Sequence, residues 1–506
     1  LASPEGSGGR LGRPGAGLQP LMQSLLPVLA VLGGVLMVFA ATMLVPLAFA
    51  FLGGDTALLA YDGAIVITFA AGLALFLLGR HHKRELQPRD GFLLVSLVWT
   101  VLPAFGALPL MFHLKDLSFT DAYFEAVSGL TTTGATVLTG LDNLPTSINV
   151  WRCFMVLIGG MGILVLAVAI LPLLGVGGSQ LFKAETPGPM KDQKLTPRIA
   201  ETARGLWTVY FAIAIACFLS MRAAGMGWAD AFMHMCSTMG LGGFAAYDAS
   251  FGQFNSPAIE AVTVFFMLVA GVNFALCFVA WKRRSLSGLW RDVETRSFLL
   301  AMLVSVLGVA LFLTAHRVYP TFAESLRHAA FNVVSIATTT GFATVDYAQW
   351  PIFAPVLMLF LCCFATCAGS TGGGIKMVRA LLLVKGARRE LKRIVHPRSV
   401  VPVTLGGTAV GSEVLQSVLA FMLFYGAVMV ASTMLLLFSG LDVVSAFTAI
   451  VACINNTGPG LGQVGPAGNF QGLSDFQTWV CSITMLLGRL ELFSILVLFT
   501  GSFWRK

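Results

Sequence analysis

The chain alternates long apolar stretches with short polar ones. Uninterrupted apolar runs recur from Leu25–Leu52 to Trp479–Phe503, and about 20 such residues cross a bilayer core as a helix. Two runs, roughly 22–52 and 61–80, come first and have no counterpart later. After them one pattern occurs four times: a long apolar span, a half-length apolar segment, a turn rich in Gly and Thr, and a second long span. Two spans plus four pairs predict ten crossings in an all-α polytopic membrane protein. The predicted units are a disordered 1–21, a leading pair over 22–85, and four repeats over 86–180, 181–285, 286–399 and 400–506.

The turns read SGLTTTGATVLTGLD (Ser128–Asp142), STMGLGGFAAYD (Ser237–Asp248), SIATTTGFATVD (Ser335–Asp346) and CINNTGPGLGQ (Cys453–Gln463). Phe124, Phe232, Phe331 and Phe447 lie 10, 11, 10 and 11 residues before Gly134, Gly243, Gly341 and Gly458. At 1.5 Å per residue the intervening segment is about 15 Å long, half of a hydrocarbon core of about 30 Å. It reads as a re-entrant helix that stops near mid-depth. Non-helical backbone at that depth survives only when buried in protein or lining water. Four such turns are therefore expected to meet on a pseudo-fourfold axis.

Composition agrees with the pattern. The chain is 57% hydrophobic and 11% charged, against roughly 25% charged in soluble domains, so it lacks the charge to cover a soluble surface. The net charge of +8 would suit a nucleic-acid partner, but its placement excludes one. Of the 32 basic residues, 26 fall at the termini (Arg10, Arg13, Arg505, Lys506) or in alternate loops, within 80–89, 183–204, 282–296 and 376–398. The other loops hold Lys115, Arg152, Arg222, Arg317 and Arg327. The basic side is the cytoplasmic side, which puts both termini inside and makes the span count even. The nine cysteines sit mostly in apolar runs, as at Cys362, Cys363 and Cys367, without histidine at ligand spacing; they read as small packed hydrophobes. The Gly/Pro/Ser-rich opening has no signal-peptide pattern, and its initial Leu leaves a natural start upstream as the expectation.

The turn chemistry suits a dehydrated cation. A ring of backbone carbonyls replaces the hydration shell of potassium. Thr131, Thr132, Thr133 and Gly134, with Thr338, Thr339, Thr340 and Gly341, supply glycine for the backbone and hydroxyls for anchoring. Asn455, Asn456, Thr457 and Gly458 are a polar variant, while Gly240, Leu241, Gly242 and Gly243 offer carbonyls only. Half-helices ending at the centre add partial negative charge. Asp142, Asp248 and Asp346 follow the first three turns and predict an acidic outer mouth that concentrates cations; Gln463 stands there in the fourth repeat.

FEAVSGLTTTGATVLTGLD, STMGLGGFAAYDAS, ATTTGFATVDY, NNTGPGLG, CAGSTGGGIKMVR (Cys367–Arg379) and GRLE (Gly488–Glu491) together resemble the Trk/Ktr/HKT superfamily of potassium transporters, and within it the TrkH type, over essentially the whole chain after Leu21. The resemblance implies potassium as the transported ion with no prosthetic group. It also implies a homodimer in the bacterial inner membrane with one pore per protomer. A cytoplasmic TrkA-like ring protein would dock on it and bind the nucleotide. Glycine in all four turns is the family's potassium-selective pattern.

Within the second span of the third repeat stand Gly369, Ser370, Thr371, Gly372, Gly373 and Gly374, followed by Lys376. Consecutive glycines break a helix. A phosphate-binding loop would need G-x-x-x-x-G-K-[ST] after a strand, and Ile375 interrupts that motif. The break reads either as a packing hinge or, by resemblance, as the family's intramembrane gating loop over 367–376. Arg489 lies in an apolar run and is a functional candidate because burying it is costly. It faces the permeation pathway, holds the loop by hydrogen bonds, or joins an interhelical pair; Glu491, two residues on, cannot face it. The basic 385–398 stretch suits anionic lipid or the regulatory ring. A proton- or sodium-coupled symporter is the competing function, because broken helices at mid-depth suit that class too. His234 and His328 have no partner at catalytic spacing, so no enzyme is expected.

Overall fold

The computed structural model describes residues 18–81, 87–169 and 195–504. Of the expected disordered 1–21, residues 1–17 lie outside the described residues, whereas a helix already runs from Leu18 to Thr42. The repeat boundaries near 85 and 180, and the charges of Arg10, Arg13, Lys83, Arg84, Lys183, Lys191, Lys194, Arg505 and Lys506, also lie outside the described residues.

Large apolar side chains face outward as well as forming the core, and the polar groups of the turns are enclosed. Leu52 is 84% and Phe438 90% exposed, whereas Thr132 and Thr339 are 0%. Apolar surface outside and polar groups enclosed by protein are what a hydrocarbon solvent selects. The chain is a helical polytopic membrane protein. Among the described residues, seven helices are long and apolar enough to cross: Leu25–Gly53, Leu58–Gly79, Arg89–His113, Thr146–Leu164, Ala203–Ala223, Val293–Ala315 and Ser412–Phe438. The first two pack closely because Gly33 and Gly72 let their backbones approach, as small residues do between membrane helices.

Between the long helices lie four short ones: Phe119–Leu130, Trp228–Gly240, Phe322–Ala337 and Val443–Ile454. Three begin at polar caps. The Ser118, Thr321 and Asp442 side chains accept from the amides of Asp121, Glu324 and Ser445, satisfying donors that a helix start leaves open. The Ser445 amide holds the Asp442 carboxyl below the usual carboxylate range.

The sequence places one break, in the third repeat. Among the described residues the structure has three. Pro257–Ala270 and Phe274–Arg283 meet at 95°, and Asp475–Arg489 and Phe493–Phe499 at 103°. In the third repeat Phe353–Phe364 and Met377–Val395 flank a non-helical 365–376. The extra breaks have local causes. Asn273 starts a new helix by accepting from the Ala275 amide at 2.8 Å. Glu491 and Leu492 take φ of 53° and 56°, which no α-helix permits. The breaks of the second and third repeats are hydrogen-bonded together, Phe274 N to Gly369 O at 3.1 Å and Cys367 N to Gly271 O at 3.1 Å. A two-residue hairpin, Thr404–Leu405 with Thr408–Ala409, turns on Gly406 and Gly407 at φ of 57° and 85°.

Candidate functional site

All four short helices end in the same pair of hydrogen bonds, a Schellman closure. The Thr132 amide donates to Gly129 O at 3.0 Å and the Thr133 amide to Ser128 O at 2.8 Å. Leu241 to Thr238 and Gly242 to Ser237, Thr339 to Ile336 and Thr340 to Ser335, and Asn456 to Cys453 and Thr457 to Ala452 repeat it. The left-handed residue is Thr132, Leu241, Thr339 or Asn456, with φ of 55°, 54°, 63° and 54°. That conformation costs an L-residue roughly 1–2 kcal/mol, so four buried non-glycine examples are held there by their surroundings.

This closure sets the register. Gly134, Gly243, Gly341 and Gly458 each stand two residues beyond the left-handed position, and three of them have φ of 81°, 90° and 96°. Their backbones touch in a closed order. A Cβ on Gly134 would lie 2.7 Å from Gly243 Cα, and one on Gly243 2.8 Å from Gly341 C. A Cβ on Gly341 would collide with the Thr457 carbonyl, and one on Gly458 would lie 2.7 Å from Thr133 O. The contacts run from first repeat to second, third, fourth and back to first. One cavity is lined by all four glycines together with Thr136, Asp248, Ser250 and Pro466.

Side chains brace the ring. Thr131 and Thr133 hydroxyls lie 2.7 Å apart, and Thr338 and Thr340 2.8 Å. Asn456 Nδ2 donates to Thr133 Oγ1 and to Met485 O, each at 3.0 Å, tying the fourth turn to the first. Asn455 Nδ2 donates to Val451 O, and its Oδ1 accepts from the Tyr425 hydroxyl at 3.0 Å. The short helices also grip the chain beyond each turn: Glu125 accepts from Val137 N, Asp230 from the Tyr247 hydroxyl, Asn332 from Thr344 N, and the Thr448 hydroxyl from Leu461 N. Thr132 Oγ1, Thr457 Oγ1 and Asn456 Oδ1 remain buried without a protein partner. Buried orphans of this kind demand explanation, and oxygens near a ring of carbonyls and helix C-termini are suited to a bare cation.

The glycine-rich break packs against this ring. Gly373 N donates to Thr339 Oγ1 at 2.9 Å, and the Thr371 hydroxyl to Met239 O at 3.0 Å. A Cβ on Gly373 would collide with the Asn455 carbonyl, so the loop abuts the second, third and fourth repeats. Arg489 adds the first. Its guanidinium donates to Thr371 O at 2.9 Å and Gly159 O at 3.2 Å and lies 5.7 Å from the Trp99 ring centre. Of the roles open to Arg489, the geometry has it holding the loop. Lys376 donates back to Gly372 O. Ser370 bonds Cys367 O at 2.6 Å, and Gly369 and Gly374 take φ of 72° and 80°.

Several charges lie elsewhere than loop counting placed them. Arg152 is buried, paired with Glu125 at 2.7 Å, and donates to Ala245 O across the repeat boundary. Lys376 and Arg379 are buried too, and Arg379 pairs with Glu491 at 2.5 Å and stacks on Phe421. The signal was available: Arg152 interrupts the apolar VWRCFMV as Arg489 interrupts its own run. Among the three acids, Asp248 lines the cavity and accepts from Gly140 N and Leu141 N. Asp142 and Asp346 are not in the lining; Asp346 caps the turn at Tyr347–Gln349.

The profile of the TrkH family, described as cation transport protein, matches residues 61–506. "Trk system potassium uptake protein TrkH" of Salmonella typhimurium is 46% identical over 94% of this chain and 98% of its own length. The Halomonas elongata protein of the same name is 45% identical over 96% and 100%. The crystal structure of the potassium transporter TrkH from Vibrio parahaemolyticus superposes with a TM-score of 0.88, at 43% identity, covering 96% of this chain and 100% of that one. With the whole helical architecture and nearly the full sequence shared, the chain belongs to the TrkH family of cation transport proteins.

Proposed function

We propose that this protein takes up potassium across the bacterial inner membrane through the ring of four turns. The closed order of backbone contacts among Gly134, Gly243, Gly341 and Gly458 carries the reading. Only turns around a common axis touch cyclically, and such a ring presents carbonyl oxygens at one depth. On this reading residues 131–134, 240–243, 338–341 and 455–458 are the selectivity filter. The 367–376 loop, latched by Arg489, is the gate, and Asp248 is the acid of the outer mouth. Phe353–Phe364 with Met377–Val395 supplies the tenth crossing, and both termini are cytoplasmic. The relatives' membership of a Trk system supports association with further Trk components, and the assembly proposed is a homodimer regulated by a TrkA-like nucleotide-binding ring.

The test is flux into liposomes holding the purified chain. Potassium entry far exceeding sodium entry, with no need of a proton gradient, is the expected result. Equal entry of both ions rules out a selective ring. Uptake only with an imposed proton or sodium gradient transfers the assignment to the symporter.

A further inference from the structure

The gating loop is tied at its tip by Arg489, but something must also close its neck. Met377 N donates to Thr366 O at 2.8 Å. A second tie is not direct. Glu294, in the first turn of Val293–Ala315, inserts one carboxylate oxygen between the two sides of the neck, reaching Ala368 just inside the Thr366–Met377 bond and Val378 just outside it. Its Oε1 accepts from Ala368 N at 2.7 Å and from Val378 N at 3.0 Å. Glu294 is 9% exposed, on a helix otherwise spent on apolar packing. A carboxylate there is costly, and packing alone does not call for one.

We infer that Glu294 is a positioning residue of the gate, clamping both ends of the intramembrane loop so that movement is confined to its tip. The inference rests on the gating role proposed for that loop. One oxygen serving both amides makes the two ends move together, and it is the position of that oxygen rather than its charge that does so. The clamp also has an outside lever. Asp292, two residues earlier, caps the same helix by accepting from Thr295 N at 2.7 Å and ends the exposed Arg283–Arg291 segment that the basic-residue bias puts in the cytoplasm. A pull on that segment would reach both strands of the neck through Glu294.

Three variants separate geometry from charge. Glu294→Gln keeps an oxygen at the same reach and removes the charge. Glu294→Asp keeps the charge and shortens the arm by one methylene. Glu294→Ala removes both. Rubidium flux is measured in liposomes without a cytoplasmic partner, beside wild type and a Gly372–Gly374 deletion. Ala, which loses both bonds, and Asp, whose shorter arm cannot serve both amides, are expected to leak about tenfold or more above wild type, the shift that one lost hydrogen bond near the top of its usual range produces. Gln should stay near wild type, and all three should keep wild-type preference for potassium over sodium. If Ala does not fold, the Gln and Asp pair decides alone. A quiet Asp variant, or a Gln variant that leaks as Asp does, overturns the clamp. If the deletion leaks and neither Ala nor Asp does, the gate stands and the clamp falls. If the deletion is also tight, the gating reading falls first and takes the clamp with it.

Discussion

Replacing Gly134 by Ser tests the ring directly. At φ of 81° any L-side chain costs roughly 1–2 kcal/mol. That cost alone would be uninformative, because a loop glycine can carry it too. Gly140 is the control: its φ is 66°, but a Cβ there meets nothing nearer than Asn143 Nδ2 at 3.9 Å. At Gly134 the Cβ runs into the Gly243 backbone, and overpacking a fixed neighbour adds about 1–3 kcal/mol. The second turn must then move, and its carbonyls with it. If half of that combined strain is taken up as displaced carbonyls, discrimination between ions falls by about tenfold, since about 1.4 kcal/mol is a factor of ten. Liposome uptake of potassium and sodium, measured for both variants at matched protein density, is the assay. Gly134→Ser should admit sodium and Gly140→Ser should not. A folded Gly134→Ser protein with wild-type selectivity, or equal loss in both variants, would refute the argument that ring contact rather than backbone strain sets selectivity.

Arg489→Ala removes two bonds to buried carbonyls, each worth about 1.5–3 kcal/mol for a charged donor; it should raise partner-free flux, less than the Gly372–Gly374 deletion does, and the double variant should add less than the sum. Arg152→Ala leaves Glu125 buried and unpaired, a loss of about 3–5 kcal/mol that thermal unfolding in detergent should register as a lower melting temperature, with unchanged melting counting against the bracing role. Cysteines at Gly288 and Gln253, both exposed, should label only from the cytoplasm and only from outside, respectively, in a cysteine-free background; Ser256 is the poorer reporter because it caps Pro257–Ala270. The reverse labelling would invert the orientation.

The four short helices and the glycine register were legible because each depends on local chemistry. Half-length apolar segments and a repeated glycine are properties of contiguous residues. The breaks at Gly271–Asn273 and Glu491–Leu492 were not, because nothing within those runs forbids a helix. They bend where distant groups reward it: Gly369 O accepts from Phe274 N, and Arg379 takes Glu491. Arg152 was misread for a related reason. Position along an alternating pattern says which loop a charge is near, whereas its burial depends on Glu125, 27 residues away. Arg489 was read correctly as costly, but its two acceptors, Thr371 and Gly159, lie in other repeats and leave no mark on its neighbours in sequence.

The ring is built by one chain rather than by four copies of one. In an assembly of identical subunits, a mutation at a turn appears in every quadrant at once, so any device placed there is multiplied by four. Here one codon alters one quadrant. Leu241 can sit where Thr132, Thr339 and Asn456 sit, and a single loop with a single arginine can lie against an otherwise fourfold ring. A ring drawn from one chain thus leaves each quarter free to vary on its own, and an element on one side can change without altering the other three.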